Sequence, residues 1–347
     1  MADAPTRGHF VWHELMTTDT KSAAGFFTKI VGWKTQTWPQ DPSYTMFVKG
    51  SPMAGLMALP QDAKAMGAGP AWNSYIGCPN VDDTARQAAT LGGKILRQPA
   101  DIPTIGRFAV LADPQGAVFN AFTPLPQQTP QASPSGPRIG DFSWHELATT
   151  DWRGALAFYK SLFGWEEMTA MDMGPEMGTY QMFGLDGKML GGIFNKPKQM
   201  PGPPNWLPYI QVPDAKKAAD AVKKLGGQII NGPMEVPGGD WIAQGLDLQG
   251  GMFAVHSLKP AAAKKPAAKE PGTGAAKAVE GAVDAVKGAA KAVKKGEKKA
   301  VKKAVKKAVK KAVKKTVKKD TKRSAKTTAG RRVARKAKKK APARRRR

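Results

Sequence analysis

The chain has 347 residues and a formal net charge of +28, and that charge sits at one end. Residues 259–347 hold 35 Lys and Arg against 5 Asp and Glu, whereas residues 1–258 hold 20 against 22 and every aromatic side chain. This excludes a uniformly basic protein: a near-neutral body able to bury a core carries a basic tail that has little beyond Ala and Val to bury. The one cysteine, Cys78, excludes an internal disulfide framework and suits a reducing compartment. The start, MADAPTRGHF, lacks the apolar stretch of a secretory signal, and no apolar run reaches the length of about 18 residues needed to span a membrane. A cytoplasmic protein without membrane contact is expected.

Taken in chain order, residues 9–17 alternate as a half-buried strand does. Thr18 or Asp19 can cap a helix whose one face carries Ala23, Phe26, Phe27 and Ile30, and Gly32 stops it. Three short strands follow near 33–38, 44–49 and 53–59. A second strand–helix–three-strand set begins at Trp72, with its helix near 81–91 and a Gly92–Gly93 stop. After LPQQTPQASPSGPRI (125–139), an exposed linker by composition, the whole series repeats at an offset of 132 to 136. GHFVWHELMTTD returns as GDFSWHELATTD, AAGFFTKIVGW (23–33) as ALAFYKSLFGW (155–165), and YTMF (44–47) as YQMF (180–183). TLGGKIL (90–96) returns as KLGGQII (224–230), and DPQGAVF (113–119) as DLQGGMF (247–253). The expected architecture is α+β: four βαβββ modules in two copies, residues 8–124 and 140–257, with a disordered tail over 258–347.

The motif W-H-E-L-x-T-T-D, followed by A-x-x-F-[FY]-x-x-x-x-G-W, L-G-G and D-[PL]-Q-G-[AG], resembles the vicinal oxygen chelate superfamily of glyoxalases, bleomycin-resistance proteins and extradiol dioxygenases. The resemblance covers about residues 8–257. It implies paired modules whose sheets curl round a ligand cavity, so that one chain can act as a monomeric pseudo-dimer. It also implies where metal ligands would stand, on the first, fourth, fifth and last strands. Those places hold Trp12 and Trp144, Asn120 and Ala254, and Asn73 and Leu207. The fourth-strand stretches 51–59 and 188–195 hold no acid, Asp62 and Asp186 lying outside them. Zinc and iron sites draw on His, Cys and carboxylates. The expectation is therefore no metal and no cofactor.

Strand alternation puts Trp12 and Glu14 on one face and His13 on the other, and likewise Trp144 and Glu146 against His145. Two readings of Glu14 and Glu146 stand side by side. Either each is an acid in an apolar cavity, a general base or ligand-binding carboxylate, or each is a structural group tied to backbone amides or an Arg at the module seam. His13 and His145 read as hydrogen-bonded or surface residues. The ligand-lining set is expected to include Trp12, Trp72, Tyr75, Asn120, Trp144, Trp206 and Tyr209, with His256 on the strand face of Ala254. Trp33 and Trp165 read as structural and Cys78 as an inert buried thiol. Arg107 maps onto Trp241, which would give the two cavities different polarity.

The tail opens with a Pro/Ala/Gly spacer and proceeds to AVKK repeats over Ala300–Lys315, ending in GRRVARKAKKK and RRRR. Its composition resembles that of linker-histone and lysine-rich bacterial histone-like tails. Phosphate contacts are expected from Lys302, Lys303, Lys306, Lys307, Lys310, Lys311, Lys314 and Lys315, with Arg331, Arg332, Arg344, Arg345, Arg346 and Arg347. Without aromatics for base stacking, duplex DNA is the expected partner, with RNA or polyphosphate next, and the location nucleoid- or chromatin-associated. Three functions remain open: a metal-free small-molecule binder tethered to DNA, a lyase or isomerase using Glu14 or Glu146 as base, and a structural nucleoid-associated protein.

Overall fold

The computed structural model describes residues 6–126 and 137–259. The expected linker lies largely outside these residues, as does the basic tail from residue 260 onward, with all of its proposed phosphate contacts. Four modules of the expected order are present. Module I comprises β1 (Phe10–Thr17), α1 (Thr20–Val31), β2 (Lys34–Trp38), β3 (Asp41–Val48) and β4 (Pro52–Ala58). A short helix that the sequence reading lacks, α2 (Gln61–Ala65), leads to module II. Its elements are β5 (Ala71–Gly77), α3 (Val81–Thr90), β6 (Lys94–Ile102), β7 (Gly106–Ala112) and β8 (Val118–Pro124). Module III is β9 (Phe142–Thr149), α4 (Trp152–Phe163), β10 (Glu166–Asp172), β11 (Thr179–Leu185) and β12 (Lys188–Asn195). Module IV is β13 (Asn205–Gln211), α5 (Ala215–Lys224), β14 (Gln228–Glu235), β15 (Trp241–Leu246) and β16 (Met252–Ser257). Among the described residues no helix is long and apolar enough to cross a membrane.

Local chemistry sets the helix ends. The Asp19 carboxylate accepts from the Ser22 amide at 2.9 Å, and Gly32 closes α1 in the left-handed region at φ 77°. Asp151 and Gly164 do the same for α4, Gly164 again at φ 77°. An acceptor at the N-cap satisfies an orphan N–H, and glycine adopts this φ without a Cβ clash.

Within each copy the strands pair in one pattern. β1 lies parallel to β4 and antiparallel to β5, and β5 lies parallel to β8; β9, β12, β13 and β16 repeat this. The helices cover one side only, and they do so across the repeat. Phe26 and Phe27 of α1 pack on Phe253 of β16, at ring separations of 5.7 and 5.4 Å. Tyr159 and Phe163 of α4 pack on Phe119 of β8, at 5.4 and 5.9 Å. Both large cores thus draw residues from both copies. Two tryptophans stitch the seam reciprocally: Trp33 Nε1 donates to the Gly140 carbonyl at 3.2 Å, and Trp165 Nε1 to the Gly8 carbonyl at 2.7 Å. The tandem copies form one compact unit.

Candidate functional site

The helix-free face of each sheet carries the carboxyl of the repeated WHEL stretch. On β1, Glu14 is 4 % exposed. Tyr75, from the neighbouring β5, donates its hydroxyl to Glu14 Oε1 at 3.2 Å. Tyr44, from β3, also bonds Glu14, and its hydroxyl accepts from Trp12 Nε1 at 3.0 Å. Tyr44 reaches Glu14 across β4 because Gly55, the residue paired with Glu14, leaves the space; a Cβ there would overlap the Tyr44 hydroxyl. Burial pushes the Glu14 carboxyl up, and the hydroxyl donors only partly offset this.

The second copy repeats the arrangement. Tyr180 of β11 donates to Glu146 Oε2 at 3.2 Å and accepts from Trp144 Nε1 at 2.8 Å, above Gly192. Tyr209 bonds the same carboxyl. Gln244 of β15 adds a link absent from the first copy, donating to Glu146 Oε1 at 3.1 Å and to the Tyr209 hydroxyl at 2.6 Å. Burial again raises the carboxyl. Half-buried Met171, Met177, Met182 and Met200 pack beside Trp144 and Tyr180. Thioethers adapt their shape to flat apolar partners.

The expected residues divide accordingly. Trp12, Glu14, Tyr75, Trp144, Glu146 and Tyr209 come together on these faces. Trp72 and Trp206 do not line them and the expectation is corrected: Trp72 packs on Phe27 at 5.3 Å, and Trp206 donates to the Tyr159 hydroxyl at 2.9 Å, both in the helix-side cores. Each stands three residues before its tyrosine on a strand, hence on the opposite face. Asn120 lies beside Tyr75 in register. His256 is held through both nitrogens, by the Ser143 hydroxyl at 2.8 Å and the Asp240 carboxylate at 3.1 Å. Arg107 and Trp241 also turn away: Arg107 pairs with Asp82 and Asp101, each at 2.8 Å, and Lys216 lies 3.4 Å over the Trp241 ring. The polarity difference between copies is carried by Gln244 and Asn120 instead. Tyr44, Tyr180 and Gln244 escaped the sequence reading, although YTMF and YQMF were visible as a repeat.

His13 and His145 occupy neither the surface nor a ligand face. They meet each other at the seam, Nε2 to Nε2 at 2.8 Å. Cys78 is buried, and burial pushes its thiol up.

The residues present do not fit the divalent-metal centre the resemblance implies. The fourth strands offer no acid, Tyr44 and Tyr180 filling the space over Gly55 and Gly192, and the other positions offer Trp, Asn, Leu and Ala. Among the described residues no three of His, Cys, Asp and Glu converge. Two open grooves, of about 420 and 450 Å³, lie along α1 and α4 and touch neither carboxyl.

Residues 7–120 and 141–253 each match the model of the Glyoxalase/Bleomycin resistance protein/Dioxygenase superfamily. The chain is 31 % identical over 263 residues to the protein named "Putative glyoxylase CFP32" of Mycobacterium tuberculosis, covering 72 % of this chain and 94 % of that one. It is 28 % identical over 266 residues to the anthracycline biosynthesis protein DauV of Streptomyces sp. strain C5, covering 72 % and 93 %. Its fold is similar to that of 2,2',3-trihydroxybiphenyl 1,2-dioxygenase from Sphingomonas wittichii, with a TM-score of 0.50 at 12 % identity over 72 % of this chain and 90 % of that one. The 2,3-dioxygenase LapB from Pseudomonas sp. gives a TM-score of 0.50 at 11 % identity, over 74 % and 94 %.

Proposed function

The chain belongs to the Glyoxalase/Bleomycin resistance protein/Dioxygenase superfamily, and from that premise we propose that residues 8–257 bind a small, flat organic molecule without a divalent metal. The observation that carries this is the repeated constellation of one buried Glu, two Tyr hydroxyls and one Trp on the helix-free face of each copy. Ligand sites are mostly apolar and aromatic with few convergent polar groups, and the methionines around Trp144 extend that surface. The relation to an anthracycline biosynthesis protein supports a polycyclic aromatic as the ligand class.

A second reading is favoured by one observation. Burial raises both carboxyls above their ordinary value, the direction that makes a carboxylate a stronger base. Glu14 or Glu146 would then serve as the base of a lyase or isomerase reaction.

The tail is the other half of the proposal. With 35 Lys and Arg and no aromatic residue over 259–347, it tethers the body to nucleic acid through phosphate contacts. The body is tested by thermal shift of the full chain with a panel of flat aromatic compounds, alongside the double variant Glu14→Gln/Glu146→Gln. Stabilisation of the wild type that the variant loses supports the proposal; no response, or the same response in both, overturns it.

A further inference from the structure

Asn120 is 2 % exposed, and its Nδ2 has no hydrogen-bond partner. It stands on β8 next to Tyr75 of β5 and opposite Val110 of β7. Its chain neighbours Phe119 and Ala121 belong to the helix-side core, so the amide lies on the face of Glu14. A buried donor left unpaired is costly, and native structures rarely keep one without a reason.

The second copy meets the same demand internally. Ala254 takes the place of Asn120, and opposite it Gln244 stands where the first copy has Val110. At this cross-strand pair each copy thus holds one carboxamide, on β8 in the first copy and on β15 in the second. In the second copy it bonds Glu146 and Tyr209; in the first its N–H donor is unused. Other unpartnered buried groups differ in kind. Trp72 and Ser74 alternate with Tyr75 and lie on the helix side, while Thr17 and Thr149 recur as a matched pair in both copies.

We infer that the first copy binds a flat aromatic molecule bearing a neutral hydrogen-bond-accepting oxygen, an aromatic ketone or quinone, whose oxygen accepts from Asn120 Nδ2 beside Glu14 and Tyr75. This rests on the ligand-binding reading above and adds which copy and which chemistry. A ligand carboxylate or phosphate is disfavoured, because its charge would lie near the Glu14 carboxyl. The amide is screened from solvent, so the ligand ring must replace a side chain on this face. Phe108 is placed for that. It is half-buried, its ring lies 6.2 Å from that of Tyr75, and the exposed Arg97 stacks on it at 5.0 Å.

The test is calorimetric titration of the full chain with 1-tetralone and with tetralin, the same skeleton without the carbonyl. The wild type is expected to bind 1-tetralone about 2- to 10-fold tighter than tetralin, the worth of one neutral hydrogen bond. Asn120→Leu is expected to erase that ratio, keep tetralin affinity, and melt no lower than the wild type. If Asn120→Leu does not fold, Asn120→Ala makes the same comparison. Equal affinities in the wild type, or a ratio that survives in the Asn120 variant, overturn the inference and leave the ligand-binding reading standing. Binding of neither compound overturns both.

Discussion

His13 and His145 face each other across the seam between the copies, Nε2 to Nε2 at 2.8 Å, and the geometry fixes their protons. His145 Nδ1 lies 3.2 Å from the Leu190 carbonyl, which can only accept, so Nδ1 carries the proton. His145 Nε2 is then bare and accepts from His13 Nε2–H. Phe142 stacks on His13 at 3.7 Å, and Phe10 on His145 at 3.5 Å.

Acid should break this seam. Burial holds His13 well below its ordinary range, with His145 adding to the effect, and burial brings His145 down to about 3. A folded pKa below the unfolded one means that the unfolded chain binds the extra proton. Stability is therefore full above about pH 6.5 and falls as pH drops toward 3, by about 1.4 kcal/mol per pH unit for each histidine that titrates. Urea midpoints at pH 7.5, 6 and 5 check this. His13→Leu/His145→Leu should flatten the dependence, and an unchanged slope places it elsewhere.

The glycines under the tyrosines should be intolerant. Gly55→Ala drives a methyl into the Tyr44 hydroxyl and should cost about 1–3 kcal/mol, the usual penalty of overpacking. Gly192→Ala meets the Tyr180 ring in the same way. Gly25→Ala is the contrast: within α1, with nothing inside 4 Å of the added Cβ, it should gain about 0.5–1 kcal/mol. Denaturant unfolding of the three variants gives the comparison.

The copies should not fold apart. Isolated residues 8–124 would expose Phe26 and Phe27, which pack on Phe253, and residues 140–257 would expose Phe163. Each half made alone should lack a cooperative transition, and the two co-expressed should regain it. Calorimetry of the halves checks this.

The tail should behave as a polyelectrolyte. Affinity of the full chain for duplex DNA should fall about 10³-fold or more between 50 and 200 mM salt, as for proteins making 6–10 phosphate contacts. Residues 1–258, with their near-neutral balance, should not bind. Fluorescence anisotropy at several salt concentrations reads both.

Much of the fold was legible because periodicity and caps are local. Ala23, Phe26, Phe27 and Ile30 are all buried, as their spacing required, and Asp19 and Gly32 bound the helix. What covers that face was not legible: an amphipathic pattern demands a partner without naming β16 and α5 of the other copy. The site divides in the same way. Alternation separated Glu14 from His13, but the partner of His13 lies 132 residues away. Trp72 and Tyr75 stand three residues apart on β5, so the strand's period of two sends them to opposite faces. Tyr44 reaches Glu14 only because Gly55, on the strand between them, has no side chain.

The most direct measurement is calorimetric titration of 5-hydroxy-1-tetralone, whose phenol can donate to a carboxylate, into the full chain and into Glu14→Gln/Glu146→Gln at pH 7. Carboxyls at the centre of the ligand faces predict saturable binding to the wild type and at least about tenfold weaker binding to the variant, about 1.4 kcal/mol. Equal affinities, with both proteins folded, would contradict it and return both glutamates to a structural role.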